Sequence, residues 1–217
     1  MEYNQSVKNI IFDFGGVLFE IDYNLPVEAF KKLGNNEFAK FYTQANQNEV
    51  FDLLETGKIS NEDFLRYLNT LVPEATPVEV LDAWNCILLK LWPEQVEVVR
   101  TLRNKGYRTF MLSNTNAIHV GEFEKMIEKS MTLESFRAAF EKVYYSNELG
   151  IKKPYPSTFI EVCRMNNLNI AETLFIDDSI QHVKGAAEAG LMTYHLKPGE
   201  KLSEVMNLYL ENEFVNV

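Results

Sequence analysis

Five short apolar runs separated by longer helical stretches constrain this chain more than any other feature. They lie at residues 9–14, 107–113, 142–145, 173–177 and 191–195. Each is short enough for a buried strand, and the stretches between them have helical spacing. Residues 93–105 open on Pro-Glu, end before Gly106 and place Val96, Val99 and Leu102 on one face. Residues 156–167 again open on proline, and residues 179–189 close at Gly190. Strands alternating with helices predict an α/β fold, a Rossmann-like parallel sheet with helices on both faces.

One segment breaks the alternation. Between residues 23 and 91 the apolar spacing is helical, at Phe38, Phe41 and Tyr42 and then at Phe64, Leu65 and Leu68, and no strand is convincing. Ser60 followed by Glu62 and Asp63, after a turn at Gly57, marks one helix start. An all-helical stretch of this size cannot sit inside the sheet, so it is expected to project as a cap over the strand ends. The expected division is an α/β core domain of residues 1–22 and 92–217 and a helical cap domain of residues 23–91. The 217 residues suffice for one domain with such an insertion. There is no internal repeat and no low-complexity linker.

Composition narrows the function classes. A hydrophobic content of 46% with mixed charge is that of a folded protein. No run approaches the roughly 18 apolar residues needed to span a membrane. Residues 1–9 have no basic segment leading into a long apolar run, so no secretory signal is expected. Cys86 and Cys163 match no metal or redox spacing and are expected to be free thiols in a reducing compartment, the cytoplasm. A net charge of −10 argues against nucleic acid as the partner. It leaves room for a small anionic substrate, because a metal ion and a lysine can reverse the field inside a pocket.

The chemistry-bearing residues sit at the strand ends. IIFDFGGVL places Asp13 at the end of the first run, with Gly15-Gly16 turning the chain; open parallel sheets bind ligands there. FMLSNTN ends the second run with Ser113 and Asn114, which can donate to a phosphate oxygen without adding charge. LFIDDSIQH ends the fourth run with Asp177 and Asp178, paired acids that repel unless a cation or proton lies between them. Such hard oxygen ligands suit magnesium. Lys153, in LGIKKPYP, can hold a negative nucleophile and a phosphate together. Each has an ordinary alternative when read alone: a helix cap or turn former at Asp13, turn chemistry at Ser113-Asn114, a solvated turn with an N-cap at Asp177-Asp178, and a surface lysine at Lys153.

Taken together and in this order, DFGGV, LSN, the lysine of GIKKP and IDD resemble the four motifs of the haloacid dehalogenase-like hydrolase superfamily. The resemblance covers nearly the whole chain, with residues 23–91 similar to the helical cap of the first cap class. Within it the sequence is similar to the branch that contains bacterial α-D-glucose-1-phosphate phosphatase and the phosphatase domain of soluble epoxide hydrolase. LSNTN, ELG-x-x-KP and the glycine two residues after the nucleophile favour the former. The resemblance implies a Mg²⁺-dependent phosphatase acting on a small phosphorylated metabolite. Asp13 would attack phosphorus and form an aspartyl phosphate that water later hydrolyses. Mg²⁺ would be held by Asp13, the Gly15 carbonyl and Asp178, with Asp177 in direct or water-mediated support. Ser113, Asn114 and Lys153 would bind the transferring phosphoryl, in a reaction where positioning and charge stabilisation dominate.

Two departures bear on mechanism. Most phosphatases of the superfamily carry a second aspartate two residues after the nucleophile as general acid and base, and here that position is Gly15. Such catalysis typically contributes about 10²–10⁴-fold, so its loss favours leaving groups that depart without full protonation, such as an anomeric sugar phosphate. Glu20 and Asp22 are the candidates for a substitute proton, with a solvent-facing hinge position as the alternative. The second departure is His182, where the related pattern often has Asn; a neutral imidazole could make a similar hydrogen bond, but a helix-surface histidine is expected. His119 and His195 have no ligand-like spacing and are given no role.

Other readings fit less well. Dehalogenases of the superfamily attack carbon and need no magnesium, so the intact acid pair favours phosphoryl chemistry. Phosphomutases lean on the missing acid. A phosphate-binding or interaction protein is disfavoured by retention of Asp13, Lys153, Asp177 and Asp178 together. Cap side chains facing the strand ends should set specificity, from among Tyr23, Phe41, Tyr42, Gln44, Asn48 and Trp84, most of them expected in the cap core. Cap movement is expected to centre near residues 19–24 and 89–93. Oligomeric state is not readable.

Overall fold

The computed structural model describes residues 7–42 and 49–209. β1 (Asn9–Phe12) leads through the Gly15-Gly16 turn to β2 (Phe19–Ile21). Next come α1 (Asn24–Lys32), a 3-10 turn at Phe38–Lys40, α2 (Glu49–Glu55), α3 (Asn61–Leu71), α4 (Pro77–Asn85) and β3 (Leu88–Leu91). The alternating half holds α5 (Pro93–Asn104), β4 (Arg108–Ser113), α6 (Ala117–Glu128), α7 (Leu133–Arg137), β5 (Lys142–Tyr145) and α8 (Ser146–Leu149). It continues with α9 (Pro156–Met165), β6 (Thr173–Asp177), α10 (Ile180–Glu188), β7 (Met192–His195) and α11 (Leu202–Tyr209).

The five expected strands form one parallel sheet in the order β5-β4-β1-β6-β7. The chain leaves central β1 for one side, then returns to β6 on the other, so strand order reverses beside β1. Side chains alternate across the sheet as the two-residue period requires. Ile10 and Phe12 face a core built with Val96, Val99 and Leu102 of α5 and Phe123 and Ile127 of α6. Ile11 faces the opposite layer, with Phe159, Val162 and Cys163 of α9 and Ala186 of α10. Both faces are covered, as predicted, and this is why the strands read as unbroken apolar runs.

The helical segment has an apolar core of its own. Phe30, Phe38, Phe51, Phe64, Leu68 and Trp84 are all buried there, and Phe30 stacks on Phe38 with centroids 4.0 Å apart. Ser60 starts α3 as expected, its hydroxyl accepting the Asp63 N–H at 3.0 Å. Thr76 and Glu79 form a capping box at α4, with Pro77 in its first turn.

The expectation of no strand between residues 23 and 91 is corrected. β3 pairs antiparallel with β2, joining Phe19 to Leu91 and Glu20 to Lys90. LLKL has only a weak alternation, with Leu91 buried and Leu89 and Lys90 exposed. Pairing across some 70 residues supplies what local pattern lacks. The two crossings into and out of the helical segment, expected as hinges, are thus one ribbon. Cys86 and Cys163 are free thiols. No helix among the described residues is long and apolar enough to cross a membrane.

Candidate active site

Strands β4, β1 and β6 are neighbours in the sheet, so their C-terminal ends bring Ser113, Asp13 and Asp177 to one edge. Asp13 lies just past β1, held by its N–H donating to the Ile176 carbonyl at 2.9 Å. Lys153 comes from the loop before α9 and is fully buried. Its ammonium lies 2.8 Å from Asp13 Oδ1 and 2.7 Å from Asp177 Oδ2. Three of the four motifs therefore meet at one nitrogen. Asp13 Oδ1 also accepts the Phe14 N–H at 2.6 Å.

The two carboxylates differ in how well they are compensated. Burial raises the Asp177 pKa, but the Lys153 ammonium and His182 outweigh it and hold the group well below the usual carboxylate range. Its oxygens accept from Lys153, from the Ser179 N–H at 2.7 Å and from His182 Nδ1 at 2.9 and 3.1 Å. Asp13 is pushed well above the usual range, by burial first and then by the charge of Asp177, with Lys153 opposing. One ammonium serves two acids, and Asp13 is the one left short. Burial depresses Lys153 as well, yet the two carboxylates win and keep it charged.

His182 is not the helix-surface residue expected. It turns its Nδ1 onto Asp177 at 2.9 Å, and burial followed by the Lys153 charge lowers its pKa. His195, given no role from sequence, meets the Asp178 carbonyl through Nε2 at 2.9 Å. The Asn114 carboxamide is tied reciprocally to the Lys153 backbone, accepting from its N–H and donating to its carbonyl, each at 2.9 Å. Asn114 thus positions Lys153, and only its second amide hydrogen remains for a phosphate oxygen.

The Gly15-Gly16 turn is shaped by close approaches. Gly16 has a φ of +70°, and a Cβ there would lie 2.3 Å from the Asp178 carboxylate carbon. Asp178 therefore packs directly on Gly16. A Cβ at Gly15 would lie 2.6 Å from Ile21 Cδ1, so the space an acid would use is filled by Ile21. Glu20 pairs with Lys90 at 3.5 Å on the ribbon, and Asp22 Oδ1 accepts from the Asn24 N–H at 2.8 Å. Neither lines the cavity beside the site, so the structure does not place either where a substitute proton is needed.

That cavity, of about 50 Å³, lies between Gly15, Ser113 and Asn114 on one side and Tyr23, Glu55 and Trp84 on the other. Tyr42 also lines it, whereas Phe41 packs against the helical core. Gln44 and Asn48 fall outside the described residues. His119 is buried on α6, where Nδ1 meets Asn116 Nδ2 at 3.1 Å and Nε2 meets the Trp84 carbonyl at 3.3 Å. Its ring stacks on Trp84 with centroids 4.7 Å apart, and burial lowers its pKa to about 4. A larger cavity of about 280 Å³ is lined by Asp52, Gly150, Ile151, Lys152 and Tyr155, but not by Asp13, Ser113, Asn114, Lys153, Asp177 or Asp178. The smaller one lies beside the strand-end cluster, bordered by Gly15 of the turn after Asp13 and by Ser113 and Asn114.

Asp13, Asp177 and His182 offer ligand atoms within 4.8 Å of one another. Lys153 and His182 already occupy the oxygens of Asp177, which makes that acid a supporting residue. Asp13, Asp178 and the Gly15 carbonyl are the hard oxygens that could hold a cation.

Residues 7–190 match the family of haloacid dehalogenase-like hydrolases. The chain is 32% identical over 206 residues to D-ribitol-5-phosphate phosphatase of Bacteroides thetaiotaomicron, covering 93% of this chain and 99% of that protein. It is 28% identical to glyceraldehyde 3-phosphate phosphatase of Methanopyrus kandleri, covering 85% of this chain and 84% of the relative. The wild-type crystal structure of a haloacid dehalogenase family enzyme from Bacteroides thetaiotaomicron, in complex with magnesium and inorganic phosphate, superimposes with a TM-score of 0.79 at 30% identity. That match covers 92% of this chain and 99% of the other. The chain belongs to the haloacid dehalogenase-like hydrolase family.

Proposed function

We propose that this hydrolase is a Mg²⁺-dependent phosphatase of a small phosphorylated metabolite and that it works through an aspartyl phosphate on Asp13. The observation that carries the reading is the buried Lys153 ammonium bridging Asp13 and Asp177 where the central strands end. Lys153 and Phe14 N–H hold Oδ1 of Asp13, which orients the carboxylate for attack through Oδ2. The new Asp13 Oδ2–phosphorus bond forms as the ester oxygen leaves with its electron pair and takes a proton from solvent. Water then attacks phosphorus, releasing inorganic phosphate and restoring the carboxylate. Lys153, Ser113 and the remaining amide hydrogen of Asn114 face the phosphoryl oxygens, and Asp177 keeps Lys153 charged and in place.

The donor set fits magnesium. Asp13, Asp177 and Asp178 gather three carboxyl groups around one ammonium, and their oxygens are hard donors. Asp13, the Gly15 carbonyl and Asp178 would hold the ion, supported by Asp177. Bound there, Mg²⁺ supplies charge neutralisation of the phosphoryl group. Residues 23–91 serve as a cap domain whose closure over residues 1–22 and 92–217 excludes water.

Gly15, with its space taken by Ile21, supports esters whose leaving oxygen needs little help from an acid, such as a sugar 1-phosphate. The relatives' names add primary esters of short polyols and trioses to the panel. Equal efficiency on a sugar 1-phosphate and its 6-phosphate would remove the leaving-group argument. The test of the reading itself is phosphate release from p-nitrophenyl phosphate with Mg²⁺, which Asp13→Asn should abolish. A thermal shift on adding Mg²⁺ that Asp178→Asn erases would support the ion's placement. Turnover undiminished in Asp13→Asn would overturn the proposal.

A further inference from the structure

Trp84 is 2% exposed and lines the smaller cavity, yet its indole Nε1–H has no hydrogen-bond partner among the described residues. Buried donors are almost always paired, and an orphan at a functional site marks a place where a ligand supplies the acceptor. The ring is not free to swing away. His119 stacks on it at 4.7 Å and meets its carbonyl through Nε2 at 3.3 Å. Glu55 borders the same cavity from α2. Lys152 takes its Oε2 at 2.8 Å, which fixes the carboxylate and leaves Oε1 as an acceptor.

An unpaired indole N–H and a carboxylate anchored by Lys152 thus belong to two residues that line the same cavity as Gly15 and Ser113. Hydroxyl groups are the chemistry that satisfies both, since each O–H can give to Glu55 and accept from Trp84. A second anion would be repelled by Glu55, and the cavity of about 50 Å³ has room for only a few water-sized groups. We propose that Trp84 and Glu55 are specificity-determining residues that read the hydroxyls of a short, uncharged polyhydroxy leaving group. This deepens the phosphatase reading and rests on it.

The test compares kcat/KM for glycerol 1-phosphate with that for n-propyl phosphate, a chain of the same length without hydroxyls. The expected wild-type ratio is at least about tenfold, because leaving buried polar groups unmatched is strongly discriminating. Replacing the Trp84 indole by benzothienylalanine removes the N–H and keeps the shape, and the ratio should fall by about tenfold. Glu55→Ala should lower it likewise and carries the same decision if the indole analogue does not fold. A merely structural role would slow both esters together and leave the ratio unmoved, which would overturn the proposal. A wild-type ratio near one would also overturn it. If the wild type releases phosphate from p-nitrophenyl phosphate in either of those cases, the phosphatase reading survives. If it does not, both fall.

Discussion

Asp13 and Lys153 carry opposite consequences for stability although they touch. The Lys153 ammonium sits between two buried acids, so Lys153→Met should lower stability by about 3–5 kcal/mol, the cost of stranding buried charge. Asp13 is the acid in excess, raised by burial and by Asp177. Asp13→Asn removes that charge, keeps an acceptor for Phe14 N–H and Lys153, and should raise stability by about 1 kcal/mol while ending catalysis. Melting of both variants in EDTA checks the pair, and a clear loss of stability in Asp13→Asn would contradict the assignment. His119 gives a pH signature. Burial takes its pKa from 6.5 to about 4. Above pH 6.5 the ring is neutral in folded and unfolded chains, and its contribution is intact. As pH falls toward 4 the unfolded chain binds the proton first, and about 3 kcal/mol is lost. His119→Gln should therefore flatten the stability curve between pH 6.5 and 4, whereas curves parallel to wild type would sink the idea.

Elements meet at this site through glycines as much as through charged groups. Gly185, inside α10, comes so close to the loop that carries Lys153 that a Cβ would lie 1.8 Å from the Pro154 carbonyl oxygen. Pro154 follows Lys153, so α10 sets the height of the ammonium. Gly185→Ala should cost about 1–3 kcal/mol by overpacking and lower kcat with it, because Lys153 must move with its loop. Melting and phosphate release at wild-type values would count against this coupling. Gly185 was invisible in sequence, where it is one small residue in a helix. What was legible was local: the five strands, because both faces of the sheet are buried, and the helix starts at Ser60, Pro93 and Pro156. Asp13, Ser113, Lys153 and Asp177 were legible as a set because strand ends converge. β3 was missed because its partner β2 lies about 70 residues away. His182 was misread because its bond to Asp177 spans the strand–helix junction, and a surface position is the ordinary outcome for that helix turn.

At the scale of the whole molecule, Lys152, the residue before Lys153, ties the helical segment to the α/β half. Lys152 reaches Asp52 and Glu55 of α2, the latter at 2.8 Å, with side-chain exposures of 11% for Lys152 and 14% for Glu55. Burial lowers its pKa, but the two acids outweigh this and keep the ammonium charged. Asp52 is half exposed, which screens its share, so the link is worth about 1–2 kcal/mol in total. In the proposed mechanism Lys153 holds the phosphoryl group while Lys152 holds the helical segment, so cap closure and the positioning of Lys153 would share one dipeptide. Lys152→Met should raise the open fraction by about 5- to 30-fold. The ribbon of β2 and β3 is where the chain bends if the segment moves, because among the described residues both crossings between the two apolar cores run through it. Limited proteolysis at residues 19–24 and 88–93 should therefore be faster in Lys152→Met than in wild type. Mg²⁺ with orthovanadate should protect the wild-type ribbon and protect the variant less. Equal cleavage of both proteins, with and without the phosphate mimic, would show that the helical segment does not open and that Lys152 is a static surface tie.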